Sequence, residues 1–454
     1  MKRMSVLLAV TAGIACGPPN VVPVAPLLAN VHSSQPEETC AGITVYEPTA
    51  PTTQAYHRAA NFWIEATTLD PDQKMMSPQQ IEATNAKYES NTELFRDPLQ
   101  SATSNDAEIR ERWKHREVWM SQKLSDGSYV EHEPGAMGRA MERIQRARLR
   151  AEFHVITEES ALWCVPTVDG ILSQARDVAF DRNRCTGLHP GELVLATHVV
   201  EGEPWVHVEA GHSSGWLIDP RWTPPLSRDE AERFATTQPR GYVTRETSSD
   251  NDQASFRLGT SFPLSRTVAD AVTVVTPTST GLREQTLDRG TFSDGPLPLT
   301  RRRVLELAFS QIRDPYGWGG YQGNRDCSRF LHDVLATFGI LMARNSAAQS
   351  VMGAANVSLE GMTDAEKRST LDRLNANNLV LLYMPGHIML YLGRDGDQRF
   401  ALSSLSEYLR PCEGGGAQTV RLDRVEVTQL EIGRGTSRTS FIERLTTAIV
   451  FGPG

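Results

Sequence analysis

At 454 residues the chain is too long for one hydrophobic core, and a prior of about 150 residues per domain suggests about three folded units. Apolar residues make up 39% of the chain and charged residues 22%, which is typical of a globular protein. The formal net charge of −9 argues against a nucleic-acid-binding protein, because such proteins carry basic surfaces.

Residues 1–16 have the pattern of an export signal. Lys2 and Arg3 supply a positive end, and residues 4–15 form a mostly apolar run that is too short to span a membrane. The run ends in "AGIAC", which resembles a lipoprotein signal in which Cys16 becomes the lipidated first residue. The alternative is plain secretion with cleavage near this point. We therefore expect an exported protein of the cell envelope, held at the membrane by a lipid anchor and facing the periplasm.

The next two regions differ in pattern. Residues 17–50 are rich in Pro, Val, Ala, Thr and Ser without a sustained period, which predicts a flexible tether. Residues 51–151 carry apolar residues at three- and four-residue spacing, as in "AYHRAANFWIEAT" and "GAMGRAMERIQRARLRAEF". This spacing predicts a helical N-terminal domain.

Two β-rich blocks follow, at residues 152–225 and 226–298. Runs such as "GELVLATHVV" and "ADAVTVVTPTST" are separated by Gly and Pro turns, which predicts two small β modules in series. Helical spacing returns in "RRRVLELAFSQI", and the last predicted domain runs from 299 to 454 as helices and then strands.

Five cysteines remain if Cys16 is lipidated, and an odd number leaves one thiol free in a compartment that permits disulfides. Cys164 and Cys185 fall in the same module, so a disulfide between them is one option. If Cys40 and Cys412 also pair, Cys327 is the free thiol.

Cys327 is predicted to lie at the start of a helix. The residues after it that share one helix face are Phe330, Leu331, Val334, Leu335 and Phe338. Asp326 is a good N-cap and Gly339 a natural stop. In the first turn, free N–H groups and the helix dipole favour an anion, so we expect the thiol to ionise below its usual pKa of about 8.5. The glycines of "YGWGGYQGNRDC" would keep the approach to it open; the alternative is a buried structural cysteine.

His387 is the only histidine after His332, and it opens the apolar strand "HIMLYLG". This position favours a base for the thiol, although a lone histidine is often structural. A three-residue loop at 394–396 would place Ser403 opposite His387, with one apolar face made of Ile388, Leu390, Leu392, Phe400 and Leu402. A two-residue Asp-Gly turn would instead place Ser404 there but would mix the faces. We favour Ser403; the alternative is that both serines only end a strand.

Four ordered motifs, "YGWGG", "RDCSRF", "RNSAAQ" and "MPGHIMLYLG", resemble the NlpC family of papain-like cell-wall cysteine peptidases over about 299–453. Upstream, "FDRNRCTGLHPGELVL" and "WVHVEAGHSSGWL" resemble the bacterial SH3-like barrel of its multi-domain members. The resemblance implies an α+β fold. Its papain-like domain would pack the cysteine-bearing helix on an antiparallel sheet, after a helical region and two SH3-like barrels at 152–225 and 226–298.

The resemblance also implies roles for single residues. Cys327 would be the nucleophile, His387 the general base and Ser403 the orienting group, where the family usually has histidine. Tyr316 would stand beside the nucleophile, and the residues at the substrate end would be Asp326, Ser328, Asn345 and Ser346.

The implied reaction is cleavage of peptidoglycan stem peptides, or muropeptide fragments, at the amide from the γ-carboxyl of D-glutamate to a diamino acid such as diaminopimelate. It needs no cofactor. In related multi-domain enzymes the first barrel closes one end of the cleft and selects peptides with a free N-terminus.

Other interpretations of the sequence stand beside the peptidase hypothesis. His198, His207 and His212 lack metal-ligand spacing, so no metal site is expected, and Trp205 and Trp216 are interpreted as core. The chain could instead be a wall-binding or scaffold lipoprotein with a weak or inactive peptidase domain, because the third histidine is missing. A papain-like acyltransferase is a third hypothesis.

Overall fold

The computed structural model describes residues 40, 42–51, 53–67, 70–173, 177–247 and 255–453. The predicted signal peptide, Cys16 and the tether as far as residue 39 lie outside these residues. Within the described ranges, no helix combines the length and the apolar character needed to cross a membrane.

The α-helices of the described residues are α1 (Ala60–Glu65), α2 (Pro78–Glu89), α3 (Pro98–Ser101), α4 (Asp106–Ser125), α5 (Ala136–Arg146), α6 (Arg228–Thr236), α7 (Arg301–Ser310), α8 (Cys327–Ala336), α9 (Ser346–Gln349), α10 (Asp364–Asn375) and α11 (Phe441–Arg444). Short 3-10 helices occur at Ala55–Arg58, Val178–Phe180, Arg289–Thr291 and Trp318–Gly323.

The strands are β1 (Thr44–Tyr46), β2 (Tyr129–Glu131), β3 (Ala147–Val155), β4 (Ser160–Trp163), β5 (Ile171–Ser173), β6 (Arg184–Leu188), β7 (Leu193–Val200), β8 (Trp205–Ala210), β9 (Ser213–Ile218), β10 (Arg240–Val243), β11 (Ser261–Thr267), β12 (Ala271–Thr278), β13 (Gly281–Asp288), β14 (Phe292–Ser293), β15 (Ala355–Ser358), β16 (Leu379–Met384), β17 (His387–Asp395), β18 (Gln398–Pro411), β19 (Ala417–Gln429) and β20 (Thr447–Phe451).

The C-terminal sheet has the order β1-β19-β18-β17-β16-β20-β15, and all its pairs are antiparallel except β1 with β19. One face packs on α8, where Phe330 and Val334 share a core with Leu390 and Leu402. The opposite face packs on α10 and α11. Because side chains alternate along a strand, neighbouring residues of β17 and β18 serve different cores.

The predicted tether does not extend to residue 50. Residues 44–46 form β1, which pairs in parallel with β19, Thr44 beside Thr419. A disulfide joins Cys40 to Cys412, with their Cα atoms 5.8 Å apart. The β-branched residues of "TVY" suit a strand, and the sheet edge along β19 offers them backbone partners.

The helices of residues 51–151 pack against two different parts of the chain. Trp63 of α1 and Ile81 of α2 belong to the same core as Phe330 of α8. Trp113 of α4 and Ile144 of α5 instead pack against another part of the chain, residues 147–218. Each helix has one apolar face, and each covers a neighbouring unit with it.

The two predicted β modules are separate sheets. The first β unit, residues 147–218, has the strand order β3-β7-β8-β9-β4-β6, and the second, residues 240–293, has the order β13-β12-β11-β10-β14. Cys164 and Cys185 form a disulfide in the first unit. Trp205 and Trp216 are buried in its core, as expected.

Helical spacing predicts the wrong element at the boundary between α5 and β3. The run "ARLRAEF" continues the pattern of α5, yet it forms β3, which pairs along β7. Leu149 is exposed there, so the apolar residue that suggested a helix face contributes little to either core. Pairing with β7 outweighs the local preference.

Candidate active site

Cys327 is the first residue of α8 and, among the described residues, the free cysteine. The Asp326 side chain caps the helix by accepting a hydrogen bond of 2.9 Å from the backbone N–H of Arg329. The predicted N-cap and the prediction of a free thiol at a helix start are therefore confirmed.

The expected easy ionisation of this thiol is wrong. Cys327 is only 8% exposed, and burial raises its pKa to about 12. The Asp326 carboxylate raises it further, while a backbone N–H of Ile388 and the charge of Arg344 act in the opposite direction. Loss of water around the sulfur outweighs the helix N-terminus, so the thiol is protonated at neutral pH.

The glycine-rich turn before α8 does not keep the thiol open. Gly319 and Gly320 have φ of 54° and 80°, and they lie against strand β6. A Cβ on Gly320 would stand 2.4 Å from the backbone nitrogen of Gly187, and one on Gly319 would stand 2.5 Å from the Arg184 carbonyl oxygen. These glycines let the first β unit pack closely on the turn.

His387 is the first residue of β17, and its Nε2 lies 3.0 Å from the Oγ of Ser403. Burial lowers its pKa to about 3; the nearby charge of Arg444 lowers it further, and Asp326 opposes this. The histidine is only 8% exposed. Cys327 and His387 are thus a neutral thiol and a neutral imidazole in this structure.

Neither predicted register of the β17–β18 hairpin is correct. Asp395 pairs with Gln398, so the turn is Gly396-Asp397, and a bulge lies between Tyr391 and Gly393. Leu390 pairs with Leu402, which puts Ser403 beside Met389 and makes its contact with His387 a diagonal one. The apolar face was predicted correctly, since Ile388, Leu390, Leu392, Phe400 and Leu402 share one core.

Ser404 has a different partner. Its Oγ donates a hydrogen bond of 2.7 Å to the backbone carbonyl oxygen of Arg325, just before α8. The two serines therefore face opposite sides of β18, and only Ser403 contacts the imidazole.

Asp326 and Ser328 lie together in a buried cluster organised by Arg344. The Arg344 guanidinium donates to both Asp326 carboxylate oxygens, at 3.0 and 2.7 Å, and to the Ser328 Oγ at 2.9 Å. Its Nε donates to the Oγ1 of Thr186 in β6, at 2.6 Å. Sequence reasoning missed Arg344, although it opens the quoted "RNSAAQ". Thr186 gave no local signal, because its contact is long-range.

The remaining predicted residues have separate surroundings. Tyr316 is close enough to Cys327 to be affected by it: burial, and then the Cys327 charge, raise the pKa of Tyr316 well above the usual value. Asn345 caps α9 by accepting a hydrogen bond of 2.8 Å from Ala348, and Ser346 is buried in the first turn of that helix. The capping hydrogen bond gives Asn345 a structural role.

The three histidines of the first β unit have different partners. His198 lies 2.6 Å from Asp106, and His207 lies 2.7 Å from Thr197. His212 lies 3.1 Å from Glu192. Across the described ranges, no group of three or more His, Cys, Asp or Glu residues is arranged to hold a metal.

A free thiol starts a helix that packs on an antiparallel sheet, and a histidine opens one strand of that sheet, which are the element positions expected from the papain-like resemblance. The profile of the NlpC/P60 family matches residues 313–408, which include Cys327, His387 and Ser403. This part of the chain is an NlpC/P60 domain, a domain of cysteine endopeptidases.

One solved structure extends the likeness of fold beyond residues 313–408. The structure of a novel NlpC/P60 endopeptidase from Photobacterium damselae subsp. piscicida covers 91% of this chain and 100% of its own, with a TM-score of 0.67 at 14% identity. An NlpC/P60 family protein from Bacillus cereus covers 66% of this chain and 100% of its own, with a TM-score of 0.44 at 18% identity. A search of curated proteins found none that matches.

Proposed function

We propose that the protein hydrolyses the γ-D-glutamyl to diamino acid amide of peptidoglycan stem peptides, with Cys327 as nucleophile and His387 as base. The observation that carries this is the free thiol at the start of α8 in an NlpC/P60 domain whose β17 opens with a Ser403-bound imidazole. The buried, neutral state of both groups shapes the mechanism.

A thiol with a pKa of about 12 and an imidazole with a pKa of about 3 do not form a resting ion pair. In the proposed mechanism, Cys327 attacks the amide carbonyl as its proton passes to the imidazole. With Nε2 bound to Ser403, Nδ1 is the nitrogen available for this transfer. Backbone N–H groups of the first turn of α8 would stabilise the oxyanion.

Collapse of this intermediate breaks the C–N bond, and His387 gives its proton to the leaving amine of the diamino acid. A thioester then joins Cys327 to the γ-carbonyl of glutamate. Water attacks the thioester, loses a proton to His387 and releases the γ-carboxyl, and the proton returns to the sulfur. The chain needs no cofactor for these steps.

Incubation of the purified chain with a defined muropeptide, followed by mass analysis, tests the proposal. The expected products are a fragment ending in glutamate with a free γ-carboxyl and a fragment beginning with the diamino acid. The Cys327→Ala variant is the control and should give neither product. Cleavage at another bond, or equal cleavage by Cys327→Ala, would rule the proposal out.

A second candidate is a wall-binding scaffold with a weak or inactive peptidase domain. It is favoured by the burial of both Cys327 and His387 and by serine at the orienting position. Retention on insoluble peptidoglycan without any product, at enzyme concentrations equal to those of the muropeptide, would support it over hydrolysis.

We also propose that the two β units are the SH3-like barrels of a multi-domain wall enzyme and that Cys16 carries a lipid. The observations behind this are the two separate antiparallel sheets and the "AGIAC" sequence. Labelling of cells with radioactive palmitate tests the anchor: the chain should incorporate label, and the Cys16→Ser variant should not.

A further inference from the structure

Arg182 lies where the first β unit meets the glycine-rich turn before α8. Its guanidinium carbon is 4.4 Å from the ring centroid of Trp318, 5.9 Å from that of Phe180 and 6.0 Å from that of Tyr129. Aromatic rings on several sides hold the cation in one place, and each contact of this kind stabilises it moderately.

This position is connected to the nucleophile through one more ring. Phe180 stacks on Tyr316, with the ring centroids 5.6 Å apart and the planes at 24°. The pKa of Tyr316 is raised mainly by burial and also by Cys327, while the Arg182 charge lowers it. Arg182 and Cys327 therefore both lie close enough to Tyr316 to influence its phenol.

Three aspartates of this region have partners other than the Arg182 side chain. Asp326 binds Arg344, and Asp177 binds Arg421. Asp181, the preceding residue, accepts hydrogen bonds from the backbone N–H groups of Ile171 and Asn183, both at 2.9 Å.

Across the part of the chain that the structure describes, the Arg182 side chain has no ion pair and no hydrogen-bond acceptor, and its Nε is buried without a partner. A half-buried guanidinium without a counter-charge is unfavourable, and cation–π contacts offset only part of that cost.

Arg421, a neighbouring arginine, has the kind of partner that Arg182 lacks. Its guanidinium carbon lies 5.1 Å from the Phe180 centroid, and it pairs with the carboxylates of Asp177, Glu407 and Asp423. Arg182 also has a cation–π contact with Phe180, but it has no carboxylate partner among the described residues. Guanidinium groups bind carboxylates bidentately, so a planar anion such as a carboxylate is the partner that would suit Arg182.

We propose that the substrate supplies this counter-charge, so that Arg182 binds a carboxylate of the wall peptide and determines specificity. This inference rests on the proposed function. A γ-linked glutamate keeps its α-carboxylate free, and diaminopimelate carries carboxylates of its own. Glutamate and diaminopimelate thus both offer a carboxylate. Amidation of either carboxylate removes its charge with little change in size.

The test uses the full chain with Cys327→Ala, so that binding is measured without turnover. Three peptides are compared by calorimetry: L-Ala-γ-D-Glu-diaminopimelate, the same peptide with the glutamyl α-carboxylate amidated, and the same peptide with a diaminopimelate carboxylate amidated. We expect amidation of the contacted carboxylate to weaken binding on the order of tenfold or more, since hydrogen bonds to charged groups are the strong ones. The peptide that loses affinity identifies which carboxylate Arg182 binds.

Arg182→Met in the Cys327→Ala background keeps the aliphatic stem over Trp318 and removes the charge. This variant should bind the unmodified peptide and the peptide amidated at the contacted carboxylate with equal affinity. Arg182→Lys should restore part of the preference for the unmodified peptide. Arg184→Met is the matched control. Arg184 stacks at 4.6 Å on Trp163 and 5.0 Å on Tyr321, away from Phe180, so this variant should keep the preference.

Several outcomes would overturn the inference: equal binding of all three peptides, no binding of any of them, or an equal loss of affinity for acid and amide in Arg182→Met. The two proposals fail separately. Wild-type cleavage of acid and amide peptides at equal kcat/KM would leave hydrolysis standing without carboxylate recognition. Discrimination in binding without any wild-type cleavage would leave recognition standing without hydrolysis.

Discussion

The Oγ of Ser403 lies 3.0 Å from the Nε2 of His387, although the two residues are not opposite each other in their hairpin. The bulge between Tyr391 and Gly393 shifts β18 along β17, and the hydrogen bond is made diagonally. The serine side chain is short, yet it reaches the ring. This contact engages Nε2, and in the proposed mechanism Nδ1 is the nitrogen that takes the proton of Cys327.

Ser403→Ala should lower kcat/KM on a purified muropeptide by about tenfold without abolishing activity. A neutral hydrogen bond contributes about 0.5–1.5 kcal/mol, and about 1.4 kcal/mol corresponds to a factor of ten in rate. Ser404→Ala is the matched control, because Ser404 bonds the Arg325 carbonyl instead. It should cost about 1 kcal/mol of unfolding free energy and leave the rate near wild type. A rate loss confined to Ser404→Ala would contradict the assignment.

Cys327 should react slowly with iodoacetamide at neutral pH and faster as the pH rises towards its pKa of about 12. Only the thiolate is nucleophilic, and burial holds the sulfur protonated. The experiment uses the Cys16→Ser chain under non-reducing conditions, where the four disulfide-bonded cysteines are protected. Mass analysis should find one label, absent from Cys327→Ala. Full labelling within minutes at pH 7 would show that the site opens readily and that the thiolate is accessible.

His387 should make the free energy of unfolding depend on pH between about 6.5 and about 3. Its folded pKa is lowered, so below pH 6.5 the unfolded chain binds a proton that the folded chain does not. Stability is therefore present above pH 6.5 and is lost as the pH falls towards 3. His387→Gln should reduce the slope by up to about 1.4 kcal/mol per pH unit, the value for one proton. Urea unfolding at several pH values gives both slopes, and identical slopes would contradict the assigned environment.

Local features of the site could be predicted from the sequence, and long-range ones could not. The Asp326 cap and the start of α8 depend on residues next to each other, and the apolar face of the β17–β18 hairpin depends on simple alternation. The register of the β17–β18 hairpin depends on a bulge that no pattern of residues in the sequence indicates. The high pKa of Cys327 depends on burial, and burial comes from elements far apart in the chain. The surroundings of Arg182 include Tyr129 and Trp318, which are far from it in the chain, so its local sequence does not indicate them.

Arg344→Met should destabilise the fold by about 3–5 kcal/mol, because it leaves the buried Asp326 carboxylate without its guanidinium partner. The control is Arg438→Met, which breaks the more exposed pair with Glu407 and should cost less than about 1 kcal/mol. Urea unfolding of both variants against wild type measures the difference. Equal costs would show that the Asp326–Arg344 pair contributes no more than a surface pair.

Gly320→Ala should separate the first β unit from the turn before α8. Gly320 has φ of 80°, where a Cβ costs about 1–2 kcal/mol, and the added carbon would stand 2.4 Å from the backbone nitrogen of Gly187. Gly415→Ala is the matched control, since Gly415 has φ of 93° and nothing within 4 Å of its Cβ position. Both variants carry the backbone strain, and only Gly320→Ala carries the clash, which should add about 1–3 kcal/mol. Because the clash falls on β6, which also holds Thr186 against Arg344, Gly320→Ala should lower muropeptide cleavage as well, and Gly415→Ala should not. Equal unfolding free energies for the two variants would mean that the turn and the first β unit are not packed closely enough for the glycine to matter.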